Sequence, residues 1–169
     1  ESWANKTVYC GDDYYGELIA FKFDENSKVS GIALGVINNS NNQSNIPEYV
    51  PTPTSHAREN LLWKDFPIAS LQLGYSLAQV KKVYPDIKFI KTEVDRMSGT
   101  DAAIYGKDGL RLYFLNLGKG VELCSIKVTS DKYPTARGIK VGNSVEKVIG
   151  AYGEAKSTQG PYMYYDDAP

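Results

Sequence analysis

The sequence predicts an α+β fold made of two tandem units, each a short helix laid on an antiparallel sheet of about four strands. Three observations carry that reading. An apolar-x-apolar-Gly-x-Ser pattern opening a helix occurs twice, 68 residues apart and without a gap. The first copy is followed by strand-like runs parted by Gly-containing turns. The second copy meets the end of the chain too early, and runs of the missing kind stand at the N-terminus.

At the N-terminus, residues 7–10, 16–23 and 28–36 form three strand-like runs, with a turn over 24–27. Residues 38–45 hold only Asn, Ser and Gln, and Pro47, Pro51 and Pro53 follow. Such a tract buries too little apolar surface to order itself, so 39–67 is expected to be a flexible linker. Next, Leu71-Gln72-Leu73-Gly74-Tyr75-Ser76 opens the first helix. Gly74 permits a tight turn and Ser76 is the N-cap. Leu77, Val80 and Tyr84 fall on one face at helical spacing, and Pro85 stops the helix after about three turns. Runs at 87–91, 102–105, 110–115 and 121–128 come next, parted by Ser98-Gly99, Lys107-Asp108-Gly109 and Gly118-Lys119-Gly120, which predicts an antiparallel meander. Ile139-Lys140-Val141-Gly142-Asn143-Ser144 then repeats the helix start, with Val145, Val148 and Tyr152 as the inward face and Gly153 as the stop. Only the run 161–165 remains.

The second copy thus has 31 residues, 139–169, where the first unit spans 68. Residues 1–38 supply the remainder: Leu112 and Phe114 correspond to Ile19 and Phe21, Ile104-Tyr105 to Val8-Tyr9, and Ile126 and Val128 to Ile32 and Leu34. The expected units are 68–136, and 139–169 together with 1–38. Four explanations of the order stand open. They are a permuted arrangement, a slice of a longer array, a cleaved molecule, and a strand-exchanged oligomer in which one chain's N-terminal strands complete another's unit.

The pattern Gly-x-Ser-x-x-x-Val-x-x-x-Tyr-Gly/Pro, carried by Leu73, Gly74, Ser76, Val80 and Tyr84 and by Val141, Gly142, Ser144, Val148 and Tyr152, resembles the repeat of the beta-lactamase inhibitory proteins. It is also similar to the small outer-membrane assembly lipoproteins that carry one such unit. The resemblance implies a helix on a four-stranded sheet, twice, with a concave sheet surface that binds a partner protein. It also implies secretion or lipid anchoring. The sequence departs from the inhibitor in having no cysteine pair within either unit.

A net charge of −1 gives no excess that would point to nucleic acid or an anionic membrane. No apolar run reaches the length of a transmembrane segment. The chain opens at Glu1 with no basic-then-apolar leader and carries an Asn/Pro-rich tether, so an exported domain is expected, at the cell surface or in the periplasm and lipid-anchored in some versions. Asn5, Asn38 and Asn42 fit the glycosylation pattern, which in so Asn-rich a chain reads as coincidence. Cys10 and Cys124 are the only cysteines, readable as one bridge or as two buried small hydrophobes.

No catalytic or cofactor chemistry is legible. His56, the single histidine, lies in the expected linker, and the cysteines lack zinc spacing. Asp12-Asp13 and Asp166-Asp167 read as solvated turns, and no metal or cofactor is expected. What remains is tyrosine: Tyr162 and Tyr164 alternate with Met163 and Tyr165, and Tyr9, Tyr14 and Tyr15 lie in the N-terminal segment expected beside them. With Arg111 and Tyr113 as counterparts in the first unit, these residues are the candidate binding face for a protein or peptide. The rival readings are a structural repeat module without a ligand and, furthest from the residues, a hydrolase.

Overall fold

The computed structural model describes residues 17–36, 63–94, 99–116 and 120–166. Along the chain these form β1 (Glu17–Phe23), β2 (Val29–Val36), a 3-10 turn (Trp63–Asp65), α1 (Leu77–Val83), β3 (Lys88–Val94), β4 (Asp101–Lys107), β5 (Leu110–Asn116), β6 (Val121–Val128), α2 (Val145–Tyr152), β7 (Ser157–Gln159) and β8 (Tyr162–Asp166).

Both helices start where the Gly-x-Ser pattern puts them. Gly74 and Gly142 adopt φ of +82° and +90°, which glycine enters without a Cβ penalty. Two residues on, Ser76 and Ser144 are extended N-caps. Ser76 Oγ accepts from the Gln79 amide, and the Gln79 side chain accepts from the Ser76 amide at 2.8 Å, which closes a capping box. Ser144 Oγ accepts from the Lys147 amide at 3.4 Å, but a lysine side chain has no acceptor to return. The helices have 7 and 8 residues, about two turns instead of three. Helices this short do not persist alone in water, and each is held by its buried face, centred on Val80 and Val148.

Local chemistry also sets the hairpins. Asp24 Oδ1 accepts from the amides of Asn26 and Lys28, both at 2.9 Å, and turns β1 into β2. Asp108 and Gly109 take φ of +45° and +87°, the positive pair that a two-residue type I′ turn demands between β4 and β5.

Long-range pairing departs from expectation. All eight strands among the described residues join one antiparallel sheet in the order β3-β4-β5-β6-β2-β1-β8-β7. Two helix-plus-sheet units with separate sheets of about four strands do not form, and the α+β reading is corrected to one extended sheet carrying two short helices. The join is β2 against β6, with Ile32 opposite Val128 and Leu34 opposite Ile126. Had the sheets stayed apart, β2 and β6 would each have left a row of N–H and C=O groups unpaired. Their pairing satisfies that row and merges the apolar faces, so Ile19, Phe21 and Leu34 share one core cluster with Leu112, Phe114 and Ile126. β1 lies between β2 and β8, which makes the described N-terminal and C-terminal strands neighbours. The run at 7–10, matched from sequence to Ile104-Tyr105, lies outside the described residues.

The expected linker 39–67 is described only from Trp63 onward, and there Phe66 belongs to the core. Phe66 and Ile68 have no exposed surface, and Ile68 exchanges backbone hydrogen bonds with Leu71. The apolar spacing of Phe66, Ile68 and Leu71 is the sequence signal that separates this stretch from the Asn/Pro tract before it.

Candidate functional site

Alternation along the strands sorts side chains to two faces. The helices cover the face that carries Ile19, Phe21, Leu112 and Ile126. On the opposite face, strand register aligns Tyr164, Ala20, Ala33, Lys127 and Arg111 in one lateral row across β8, β1, β2, β6 and β5. The adjacent row brings Gly35, Ser125 and Tyr113 together. On the other side of the first row, Lys22 stands between Tyr162 and Gly31. The small residues Gly31, Ala33 and Gly35 of β2 therefore floor a trough. Tyr162 and Tyr164 stand on one side of it, and Arg111, Tyr113 and Lys127 on the other. At the usual strand spacing of ~4.8 Å, Tyr164 and Arg111 are roughly 19 Å apart.

The candidate tyrosines are not equivalent. Tyr162 is half-buried, stacks on Tyr164 with ring centroids 6.1 Å apart, and has Lys22 Nζ 5.9 Å from its own centroid. Tyr164 lies on the same face but is only 3% exposed, packed with Leu18 and Ala20. The expectation that it faces water is corrected: period-2 alternation gives the face, but the ring is buried in a cluster with Leu18 and Ala20. Its hydroxyl ionises later than an ordinary tyrosine because burial disfavours the phenolate. Tyr113 is half-buried, with Lys127 Nζ 4.6 Å from its ring centroid. Tyr9, Tyr14, Tyr15 and His56 lie outside the described residues, as do Asp12, Asp13 and Asp167.

Arg111 is exposed and sits directly opposite Lys127 on the neighbouring antiparallel strand. Like charges in that position repel. Burial is the main cause holding the Lys127 ammonium below its ordinary pKa; Arg111 pushes the same way and Glu93 opposes. Glu93 is itself ion-paired with Lys91 at 2.6 Å. Among the described residues no carboxylate is in ion-pair contact with Arg111 or Lys127, and the Tyr113 ring supplies the nearest compensation through a cation–π contact. Sequence reasoning missed Lys127. Its signal was present, a lone cation between the inward Ile126 and Val128, and therefore on the outer face.

Cys124 is buried and disulfide-bonded. This decides between the two readings of the cysteines for Cys124; Cys10 lies outside the described residues. Among the described residues no group of three or more His, Cys, Asp or Glu is placed to hold a metal ion, and no helix is long and apolar enough to cross a membrane. The trough offers cations, aromatic rings and backbone, a set suited to holding an anionic chain. No protein-family model, curated protein or solved structure matches the chain.

Proposed function

We propose that the chain is a non-enzymatic, exported binding or envelope domain that recognises a protein or peptide through the sheet face opposite its helices. The observation that carries this reading is the Arg111–Lys127 pair, two cations directly opposed on one face and, among the described residues, in ion-pair contact with no carboxylate. Such a pair costs stability in the free protein and is relieved when a partner brings negative charge. Tyr113 stands beside it and Tyr162 across the trough, large rings that lose little entropy on contact. An acidic, extended segment laid along the floor of Gly31, Ala33 and Gly35 would meet the cations on one wall and the rings on both. Export is supported by the disulfide at Cys124, since such bonds persist in oxidising compartments. The Gly-x-Ser resemblance to the beta-lactamase inhibitory proteins points to the same class, a partner bound on a sheet.

Calorimetric titration with a ten-residue Glu/Tyr peptide, and with its Lys/Tyr counterpart, tests this directly. The acidic peptide should bind, more weakly as salt rises, and the basic one should not. Arg111→Glu should abolish the binding, and Tyr113→Ala should weaken it by tenfold or more, the scale of a hot-spot ring. Equal binding of both peptides, or an Arg111→Glu variant that binds as well as the parent, would refute the reading.

A further inference from the structure

The two edges of the sheet are built differently. β7 has three residues, short enough to offer little to a passing strand. β3 has seven, and every one of them is exposed. Its outer row of backbone groups is a template for another strand. Apolar exposure is concentrated there as well. Of the five exposed large hydrophobic residues among the described ones, Phe89 (56%), Ile90 (44%) and Val94 (60%) belong to β3.

Read against itself in the antiparallel sense about Thr92, β3 is chemically self-complementary. Lys91 meets Glu93 and Thr92 meets Thr92, and the two-fold axis repeats the charge pair. Lys91 and Glu93 stand on one face, as an ion pair within the strand. In the paired arrangement the two copies would form a square of four charges of alternating sign, each carboxylate beside two ammonium groups. The register is selective. A slip of two positions in either direction sets Lys91 on Lys91 or Glu93 on Glu93, which repel, and a slip of one turns every side chain to the wrong face. The irregularity between Phe89 and Lys91 bends the strand there, turns Ile90 against Gly106 and starts the regular pairing at Lys91.

We infer that β3 is a homodimer interface, through which two copies of this chain join their eight-stranded sheets edge to edge about Thr92. The inference rests on the edge alone and is independent of the trough. The occupant is a second copy because the charge order of the strand complements its own reverse. A two-strand contact of this size belongs to the weak, reversible class of interfaces.

Sedimentation velocity of the whole chain from about 10 μM to 1 mM spans the affinities such a contact gives. A concentration-dependent monomer–dimer equilibrium is expected. Lys91→Glu and Glu93→Lys each place two like-charge pairs across the axis and should weaken association by roughly tenfold or more. The double exchange K91E/E93K should restore it. Thr92→Lys, on the same exposed strand, sets two ammonium groups on the axis and should leave only monomer, with its thermal melt unchanged. A parent chain that stays monomeric at 1 mM overturns the inference. So does a dimer indifferent to all four variants, the result that exchange of N-terminal strands or pairing elsewhere would give.

Discussion

The Tyr152 hydroxyl donates to the carbonyl of Asp65, 87 positions earlier in the chain, at 3.2 Å. The Asp65 carboxylate takes Arg137 Nε at 3.1 Å, and the Arg137 guanidinium lies 5.4 Å from the Tyr152 ring centroid. The same guanidinium donates to the Ala151 carbonyl at 2.6 Å. One point thus ties the end of α2, the loop before it and the 3-10 turn. The other helix is closed in the same manner, because the Tyr84 hydroxyl donates to the Ala69 carbonyl at 2.8 Å. In both helices the tyrosine that ends the amphipathic face anchors the 63–71 segment through its polar tip.

Alkaline pH should destabilise the fold in part through this anchor. Burial pushes the Tyr152 pKa up to about 12, and that of Tyr165 further. An unfolded chain releases the same protons near pH ~10. The unfolded state therefore binds fewer protons in this window, so the contribution is complete below about 10 and lost as pH rises toward the folded value. Urea midpoints measured from pH 8 to 11.5 should fall in the upper part of that range. Tyr152→Phe should flatten the fall and cost about 1 kcal/mol at neutral pH. An identical pH slope in the variant would show that Tyr152 is not the group responsible.

The two caps should differ in worth. Ser76→Ala removes a reciprocal box and should cost ~1 kcal/mol or slightly more. Gln79→Ala at the same box should cost part of that amount and add less than fully to it, because the two side chains share one arrangement. Ser144→Ala removes one long bond from the Lys147 amide and a contact with the exposed Glu146 carboxylate, and should cost less than Ser76→Ala in the same urea titration. The reverse order would contradict the assignment.

Tyr164 and Tyr113, alike in sequence context, should separate on substitution. Tyr164→Ala empties a packed site against Leu18 and Ala20 and should lose about 2–4 kcal/mol, several degrees of melting temperature. Tyr113→Ala removes a half-buried ring whose main neighbour is a flexible lysine and should cost under about 1.5 kcal/mol. Equal losses would mean that Tyr113 is as much a core residue as Tyr164.

Reduction should destabilise the chain without altering its helix starts. Opening the Cys124 disulfide, by reductant or by Cys124→Ser, should lower stability by ~2–4 kcal/mol. A melting temperature indifferent to reductant would show that the bond constrains nothing the fold depends on.

The residues of the candidate site were partly legible because their placement is local. Period 2 puts Tyr162 and Tyr164 on one side of a strand, and likewise Arg111 and Tyr113 on one side of theirs. In β5 the register sets Tyr113 opposite Ser125 and Phe114 opposite Leu123, with an irregularity between them. Sequence spacing could not show that irregularity, nor that Lys127 would stand against Arg111, since that contact joins two strands whose register depends on it. The burial of Tyr164 was hidden for a related reason: exposure depends on neighbours, and Leu18 and Ala20 come from the far end of the chain.

What the sequence by itself determined is everything satisfied within about four residues. The helix starts at Ser76 and Ser144, the positive φ of Gly74 and Gly142 and the Asp108-Gly109 hairpin all close hydrogen bonds or relieve strain among near neighbours. Only the tertiary structure decided how many sheets there are. The pairing of Ile32 with Val128 and Leu34 with Ile126 is made by backbone groups that every residue carries, across a long span of chain, and no side-chain pattern marks which edges will meet. Two repeats that each look complete on paper leave open edges and half-covered faces, and joining them removes both costs at once.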